Sequence, residues 1–205
     1  ISCISSDVFI ACDDCQLGKN NRKRFTDESQ VKRAQDVLEV LHLDIIGPIV
    51  CDTDNAVSDC LGNYKYASVI VDEKSRRICA RPIKYKSEAV KHVMEFIVES
   101  EKQTGKQVKQ IHSDGGAEYG CDELQLFFKE RGIIATTTFV YTAAHNGLTE
   151  RANRTIMEMV RCLLHGSNLP SQFWCVALET ACVILDYRLS KGDSTPHRTP
   201  IEIWN

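Results

Sequence analysis

The sequence predicts an α/β fold built on a mixed sheet. Short apolar, often β-branched runs stopped by Gly or Pro alternate with amphipathic helical stretches. Their order is three strands, helix, strand, helix, strand, then helices, which an all-parallel or all-antiparallel sheet does not accommodate. The chain has 205 residues, of which 43% are hydrophobic and 26% charged, as in one globular domain with short flanks.

The first strand spans roughly 38–46 and stops at Gly47-Pro48. The polar stretch 52–63 reads as a hairpin loop, followed by strands near 64–71 and 76–83 joined by a tight turn at Asp72, Glu73, Lys74 and Ser75. Ser87 is the expected N-cap of a helix in which Ala89, Val90, Val93, Met94 and Ile97 recur at helical spacing, ending at Gly105. A strand at 107–112 runs into Gly115-Gly116. A helix at 122–131 ends at Gly132, and the β-branched run from Ile133 to Thr138 makes the last strand. Residues 139–147 read as a mobile loop before an amphipathic helix, Leu148 to Leu164. A final helix at 170–189 carries Trp174, and an extended tail reaches Trp204.

Several classes are excluded. No apolar run approaches the ~18 residues of a membrane helix, and no secretory signal opens the chain. Ten cysteines are present, several within apolar stretches (Cys79, Cys162, Cys175, Cys182), a pattern that favours free thiols in a reducing compartment. The net charge of −3 gives no global footprint for nucleic acid, so any such binding must come from local patches. The chain starts with Ile and ends with Asn, and is expected to be a piece of something longer.

Three acids stand out by position. Asp44 interrupts an otherwise apolar strand, where an ionised carboxylate is costly unless it holds a cation or sits at the sheet's exposed end. Asp114 sits where a strand gives way to two glycines, which allow close approach of backbone and ligand. Glu150 lies on the amphipathic helix. At about 100° per residue, Leu148, Ala152, Ile156, Met159 and Leu163 share one side, and Glu150, Arg154 and Arg161 the other. Taken singly, each has a plainer reading: a strand-end residue, a turn former, and one half of a solvated i, i+4 pair.

In combination they are more specific. Thirty-five residues separate Asp114 from Glu150, with Asp44 on an earlier strand. The further stretches are Cys12-x2-Cys15-x2-Gly18-Lys19-x2-Arg22, His42-Leu-Asp44-x2-Gly47-Pro48, Ser113-Asp114-Gly-Gly-Ala-Glu118-Tyr119, Asn146-Gly147-Leu-Thr-Glu150-Arg151-Ala-Asn153-Arg154 and Thr199-Pro200-x-Glu202-x-Trp204. Together they resemble, in order and over nearly the whole chain, the copia-like group of LTR-retrotransposon integrases. The sequence departs from that pattern at Asp114-Gly-Gly-Ala-Glu118, usually Asp-Asn-Gly-Gly-Glu. It departs again at Thr142-Ala-Ala-His-Asn146-Gly147, usually Thr-Pro-Gln-Gln-Asn-Gly.

The resemblance implies a ribonuclease-H-like fold with a five-stranded mixed sheet, an irregular N-terminal segment and a C-terminal helical extension. Its units are a zinc-domain remnant and basic linker at 1–35, a catalytic core at 36–166, and a helix and tail of that core at 167–205. It implies a polynucleotidyl transferase that inserts retrotransposon cDNA into host DNA by strand transfer, with 3′-end processing as a companion reaction. Asp44, Asp114 and Glu150 would be the catalytic residues holding two Mg²⁺ or Mn²⁺ ions, hard cations that favour carboxylate oxygens. Glu118 would stand beside the site. Arg154 and Arg161, with Asn146, Lys19 and Arg22, would contact DNA, the arginines through phosphates. Cys12 and Cys15 would be half of a zinc site, filled by Zn²⁺ only where upstream histidines complete it. The implied partners are cDNA ends, host target DNA and further copies of the chain, with no membrane. The implied location is the nucleus, after a cytoplasmic virus-like particle stage. Two other readings stay open: a nuclease or transposase of the same fold, and a decayed or domesticated copy acting as a DNA-binding or assembly module.

Overall fold

A computed structural model describes residues 34–53, 56–57, 60–114, 116–137, 143–189 and 198–205. Five strands form the main sheet: β1 (Val40–Ile46), β4 (Tyr66–Asp72), β5 (Ile78–Ile83), β6 (Gln110–Ser113) and β7 (Ile134–Thr137). Their spatial order is β5-β4-β1-β6-β7. The β1, β4 and β5 strands run antiparallel, whereas β6 and β7 join β1 in parallel. The five-stranded mixed sheet matches the expectation. The 52–63 stretch carries a two-stranded ribbon, β2 (Asp52–Thr53) and β3 (Ala56–Val57).

Helices cover both faces. On one side, α1 (Glu88–Thr104) and α2 (Asp122–Arg131) bury Val93, Ile97, Leu124 and Phe128 against Leu41, Leu43, Ile70 and Ile111. On the other, α3 (Ala143–Gly166) and α4 (Trp174–Asp186) bury Ile156, Val160, Trp174 and Leu178 against Val69, Val71 and Ala80. Successive strand residues feed these two cores alternately, so Leu41 and Leu43 face one layer while His42 and Asp44 face the other. No helix among the described residues is long and apolar enough to cross a membrane.

Several boundaries differ from the sequence expectation, each for a local reason. Ser87 makes no side-chain cap and is already helical in backbone (φ −59°, ψ −25°). The turn begins earlier, and Glu88 reaches back to accept the Lys84 N–H at 3.1 Å. Gly105 and Gly132 do close their helices in the left-handed region, at φ 69° and 70°. The fourth strand is Gln110–Ser113 rather than 107–112. Helix α3 starts at Ala143, inside the stretch expected to be a loop. The 170–189 helix divides into a 3-10 turn at Ser171–Phe173 and α4.

The tail is not extended. It ends in α5 (Pro200–Trp204), started by a reciprocal cap in which Thr199 Oγ1 accepts the Glu202 N–H and Glu202 Oε2 accepts the Thr199 N–H. Trp204 is buried against Phe96, with the Arg77 guanidinium 4.9 Å from its ring centre. Arg77 also donates to Asp186 of α4 at 2.9 Å, so one side chain just before β5 ties together the helices of both layers. Cys51 and Cys60 are joined in a disulfide, a pairing not expected from the sequence, whereas Cys79, Cys162, Cys175 and Cys182 are free. The polar spacing that suggested a loop hides the fact that the ends of the ribbon meet.

Trp204→Ala is expected to cost about 3 kcal/mol through lost burial and a residual cavity. A urea midpoint within error of the unaltered chain would contradict the docking of α5.

Candidate active site

The site is built where two parallel strands end. β1 and β6 pair in register from Val40↔Gln110 to Leu43↔Ser113. One residue further on each strand are Asp44 and Asp114, and neighbouring strands lie about 4.8 Å apart. β6 stops there, and β1 continues against β4 alone, with Asp44 opposite Val69. An acid inside an apolar strand is thus tolerated because it stands at the sheet's open end, half-buried rather than enclosed.

Helix α3 brings the third acid. Its buried side runs through Thr149, Ala152, Ile156 and Val160, which seat it on the sheet. Asn153, beside that row, donates from Nδ2 to Asp44 Oδ2 at 2.6 Å. Glu150 lies one turn before Asn153 and is exposed. Burial pushes the Asp44 carboxyl above its ordinary value, the Ile45 N–H and the Asn153 amide pull it back, and the negative charges of Asp114 and Glu150 raise it further. Both other acids therefore lie within electrostatic reach of Asp44. Among the described residues no three ligating side chains already converge as a finished metal cage.

Gly116, two residues after Asp114, is a close-approach position. Gly116 N–H donates to Asp114 Oδ1 at 3.1 Å, and a Cβ on Gly116 would lie 2.8 Å from Glu118 Oε2 and 3.3 Å from Asp114 Oδ1. Glu118 pairs with Lys86 at 3.1 Å. Tyr119 is buried below, and burial, then the charges of Asp44, Asp114 and Glu118, keep its phenol far above the ordinary range and protonated.

Arg154 and Arg161 are exposed on the outer side of α3, as expected. The i, i+4 pairing of Glu150 with Arg154 does not form, and no ion pair among the described residues involves Arg154 or Arg161. Cys12, Cys15, Lys19 and Arg22 lie outside the described residues, as does the side chain of Asn146. Sequence reasoning missed Asn153 as the residue that orients Asp44. Its signal was available: it is three residues past Glu150 on the margin of the apolar stripe.

Residues 30–143 match the family described as integrase core domain. The chain belongs to the integrase core domain family. It is 32% identical over 195 residues, 94% of its length, to the retrovirus-related Pol polyprotein from transposon TNT 1-94 of Nicotiana tabacum, and spans 14% of that polyprotein. Integrase structures share its fold. The simian T-cell lymphotropic virus intasome, in complex with a PP2A regulatory subunit, aligns with 95% of this chain and 63% of that one at TM-score 0.65 and 21% identity. The HTLV-2 integrase catalytic core, solved with magnesium, aligns with 84% of this chain and all of that one at TM-score 0.61 and 19% identity. The sheet and its flanking helices are thus a ribonuclease-H-like integrase core.

Three carboxylates supply only hard oxygen donors, and the charges of Asp114 and Glu150 act against ionisation of Asp44, an effect that divalent cations relieve. Asn153 Oδ1 is buried with no partner among the described residues, leaving an acceptor beside Asp44 for a hydrated ion. The donor set therefore fits such ions.

Asp44 gives a pH test. A carboxyl raised in the folded state stabilises the fold below its unfolded value, and that contribution is lost as pH rises through the folded value. In EDTA, Asp44→Asn is expected to gain Tm over the unaltered chain as pH climbs from about 4 to neutrality. A margin that shrinks over that window would contradict a carboxyl raised by burial and by its acidic neighbours.

Proposed function

We propose that this chain is the catalytic core of a retrotransposon integrase, a divalent-metal-dependent polynucleotidyl transferase that joins cDNA 3′ ends to host DNA. The observation that carries the proposal is the half-buried Asp44 at the end of β1, its carboxyl raised by burial first and then by the charges of Asp114 and Glu150, in a chain of the integrase core family. Retrotransposon origin is supported by the tobacco polyprotein and the metal by the magnesium-bound HTLV-2 core, each a property of that relative.

In strand transfer the cDNA 3′-hydroxyl oxygen attacks a target-strand phosphorus, and the neighbouring 3′ oxygen leaves. Water in place of the hydroxyl gives 3′-end processing. No protein nucleophile is needed, which suits a site of acids without a Ser/His or Cys/His pair. Asp44, Asp114 and Glu150 would hold two Mg²⁺ or Mn²⁺ ions. Such ions, when bound, stabilise charge on the attacking and leaving oxygens.

The chain's own residues do the positioning. Asn153 fixes the Asp44 carboxylate, Gly116 N–H fixes that of Asp114, and Arg154 and Arg161 offer unpaired guanidinium groups to DNA phosphate. Glu118 stands beside the acids, tied to Lys86. Lys19, Arg22 and Asn146 would add DNA contacts, and Cys12 and Cys15 would bind Zn²⁺ where upstream histidines complete the set. The reading carries with it an oligomer acting on cDNA ends and host DNA in the nucleus, after a cytoplasmic particle stage.

Glu150→Gln is expected to lower strand transfer at least about 100-fold, several kcal/mol of transition-state stabilisation, with unchanged circular dichroism and weakened Mn²⁺ uptake by calorimetry. Full joining activity would refute the assignment. Cleavage without joining in the unaltered chain would favour a nuclease or transposase, and no metal uptake an assembly module. Arg154→Ala is expected to weaken DNA-end binding and to flatten its salt dependence by about one unit of slope. An unchanged slope counts against a phosphate contact there.

A further inference from the structure

The integrase reading gives the arginines of α3 a partner but gives none outside the protein to a second group of cations. Where β5 gives way to α1, Lys84, Tyr85 and Lys86 stand exposed in succession, Tyr85 at 68%. Across the β4–β5 ladder lie Tyr64 and Tyr66, the latter paired in register with Ile83. Each lysine sits over one ring: Lys84 Nζ is 5.9 Å from the centre of Tyr64, and Lys86 Nζ is 5.9 Å from that of Tyr66. A ring face steadies an ammonium from below while its outer side stays open to solvent. Two point charges are thus mounted in a row on the end of a sheet rather than on loose stems.

The row borders the carboxylates. Lys86 pairs with Glu118 at 3.1 Å, and that hydrogen bond, then the charges of Glu118 and Asp114, hold its ammonium above the ordinary value. Tyr66 abuts Gly47, three residues after Asp44, where an added Cβ would lie 2.9 Å from Tyr66 Cδ1. The acidic groups near the row are Glu118, paired with Lys86, Asp114, whose charge also acts on Lys86, and Glu88, which accepts the Lys84 backbone N–H. No ion pair among the described residues involves Lys84.

Ammonium point charges on a fixed base position a polyanion without reading it. A bare acidic peptide would meet the same charges, but continuity with a site of phosphoryl chemistry favours nucleic acid. We propose that Lys84 and Lys86, mounted on Tyr64 and Tyr66, are a second DNA-phosphate contact that grips a duplex from the β5–α1 junction, independently of α3. The proposal rests on the integrase reading.

The test is anisotropy of a labelled DNA duplex titrated with the 205-residue chain in EDTA at several salt concentrations. The K84A/K86A double variant is expected to bind roughly tenfold more weakly and to flatten the plot of log K against log salt by about 2. K84A alone, which leaves the Glu118 pair intact, should flatten it by about 1, and K84R/K86R should restore both affinity and slope. Wild-type affinity and slope in K84A/K86A, with Arg154→Ala still impaired, would overturn the row and leave the integrase reading standing. Failure of the unaltered chain to bind duplex would bring down that reading, and the row with it. Displacement of the duplex by polyglutamate at equal charge would assign the row to an acidic protein surface and also overturn the proposal.

Discussion

The hydrogen bond from Asn153 to Asp44 is the contact on which the site depends. It is the link among the described side chains that ties α3 to the open end of β1, at 2.6 Å. Register sets Asp44 beside Asp114 through backbone pairing alone, whatever the side chains do. Glu150 has no such guarantee, because a helix on a sheet can slide or rotate. The apolar row Ala152, Ile156 and Val160 holds α3 down, and Asn153 fixes which turn of it meets the acids. A charge-assisted bond to a half-buried carboxylate is directional where apolar packing is not.

The rest of β1 shows how much polar structure this strand carries. His42, on the same face as Asp44, is buried and bonds Glu73 at 2.8 Å, while its ring stands 5.1 Å from His112 of β6. Burial opposes the Glu73 charge, yet His42 and the Ala34 N–H hold its carboxyl below the usual value. Asp72 next to it is buried and accepts from Leu38 N–H, Ser75 N–H and Ser75 Oγ. Burial raises its carboxyl despite these bonds. The hairpin acids therefore serve to anchor the chain entering β1, so that the strand arrives at Asp44 with its register fixed. Buried polar groups that are all paired specify one arrangement, where an apolar surface tolerates several.

Period and punctuation were legible in the sequence, since both are local. Alternating apolar residues marked the strands, Gly105 and Gly132 marked helix ends, and the acids stood out as charges where the pattern asked for carbon. What escaped was set by contacts distant along the chain. Asn153 reads as one more polar residue on a helix, because its partner lies 109 residues away. The start of helix α3 before Leu148 is hidden because its first residues, Ala143 to Gly147, lack the large apolar residues that would mark a helical period. The tail reads as extended because Ile201 and Ile203 alternate with Glu202 over a stretch too short to show a helical period, though its Thr199 and Glu202 were the visible ends of a cap. Cys51 and Cys60 could be seen, but not that the intervening ribbon folds back to join them.

Net charge misleads for a related reason. At −3 the chain as a whole repels a polyanion, but the sum is not what a phosphate meets. Glu39 and Asp36 are neutralised by Lys109 and Lys106, Glu101 by Arg131, and Glu95 by Arg81 and Lys91, all in pairs remote from the acids of β1. Beyond about 10 Å in ordinary salt such paired charges contribute little. Near the site the balance differs: the charges of Asp114 and Glu150 act against ionisation of Asp44, and the arginines of α3 are left without ion-pair partners among the described residues. Sequestering neutral pairs elsewhere lets a mildly acidic protein keep both signs of charge outside ion pairs on the elements that carry these acids. Ionising Asp44 against its acidic neighbours costs stability, and the two buried cores, one on each side of the sheet, are what allow the fold to carry it.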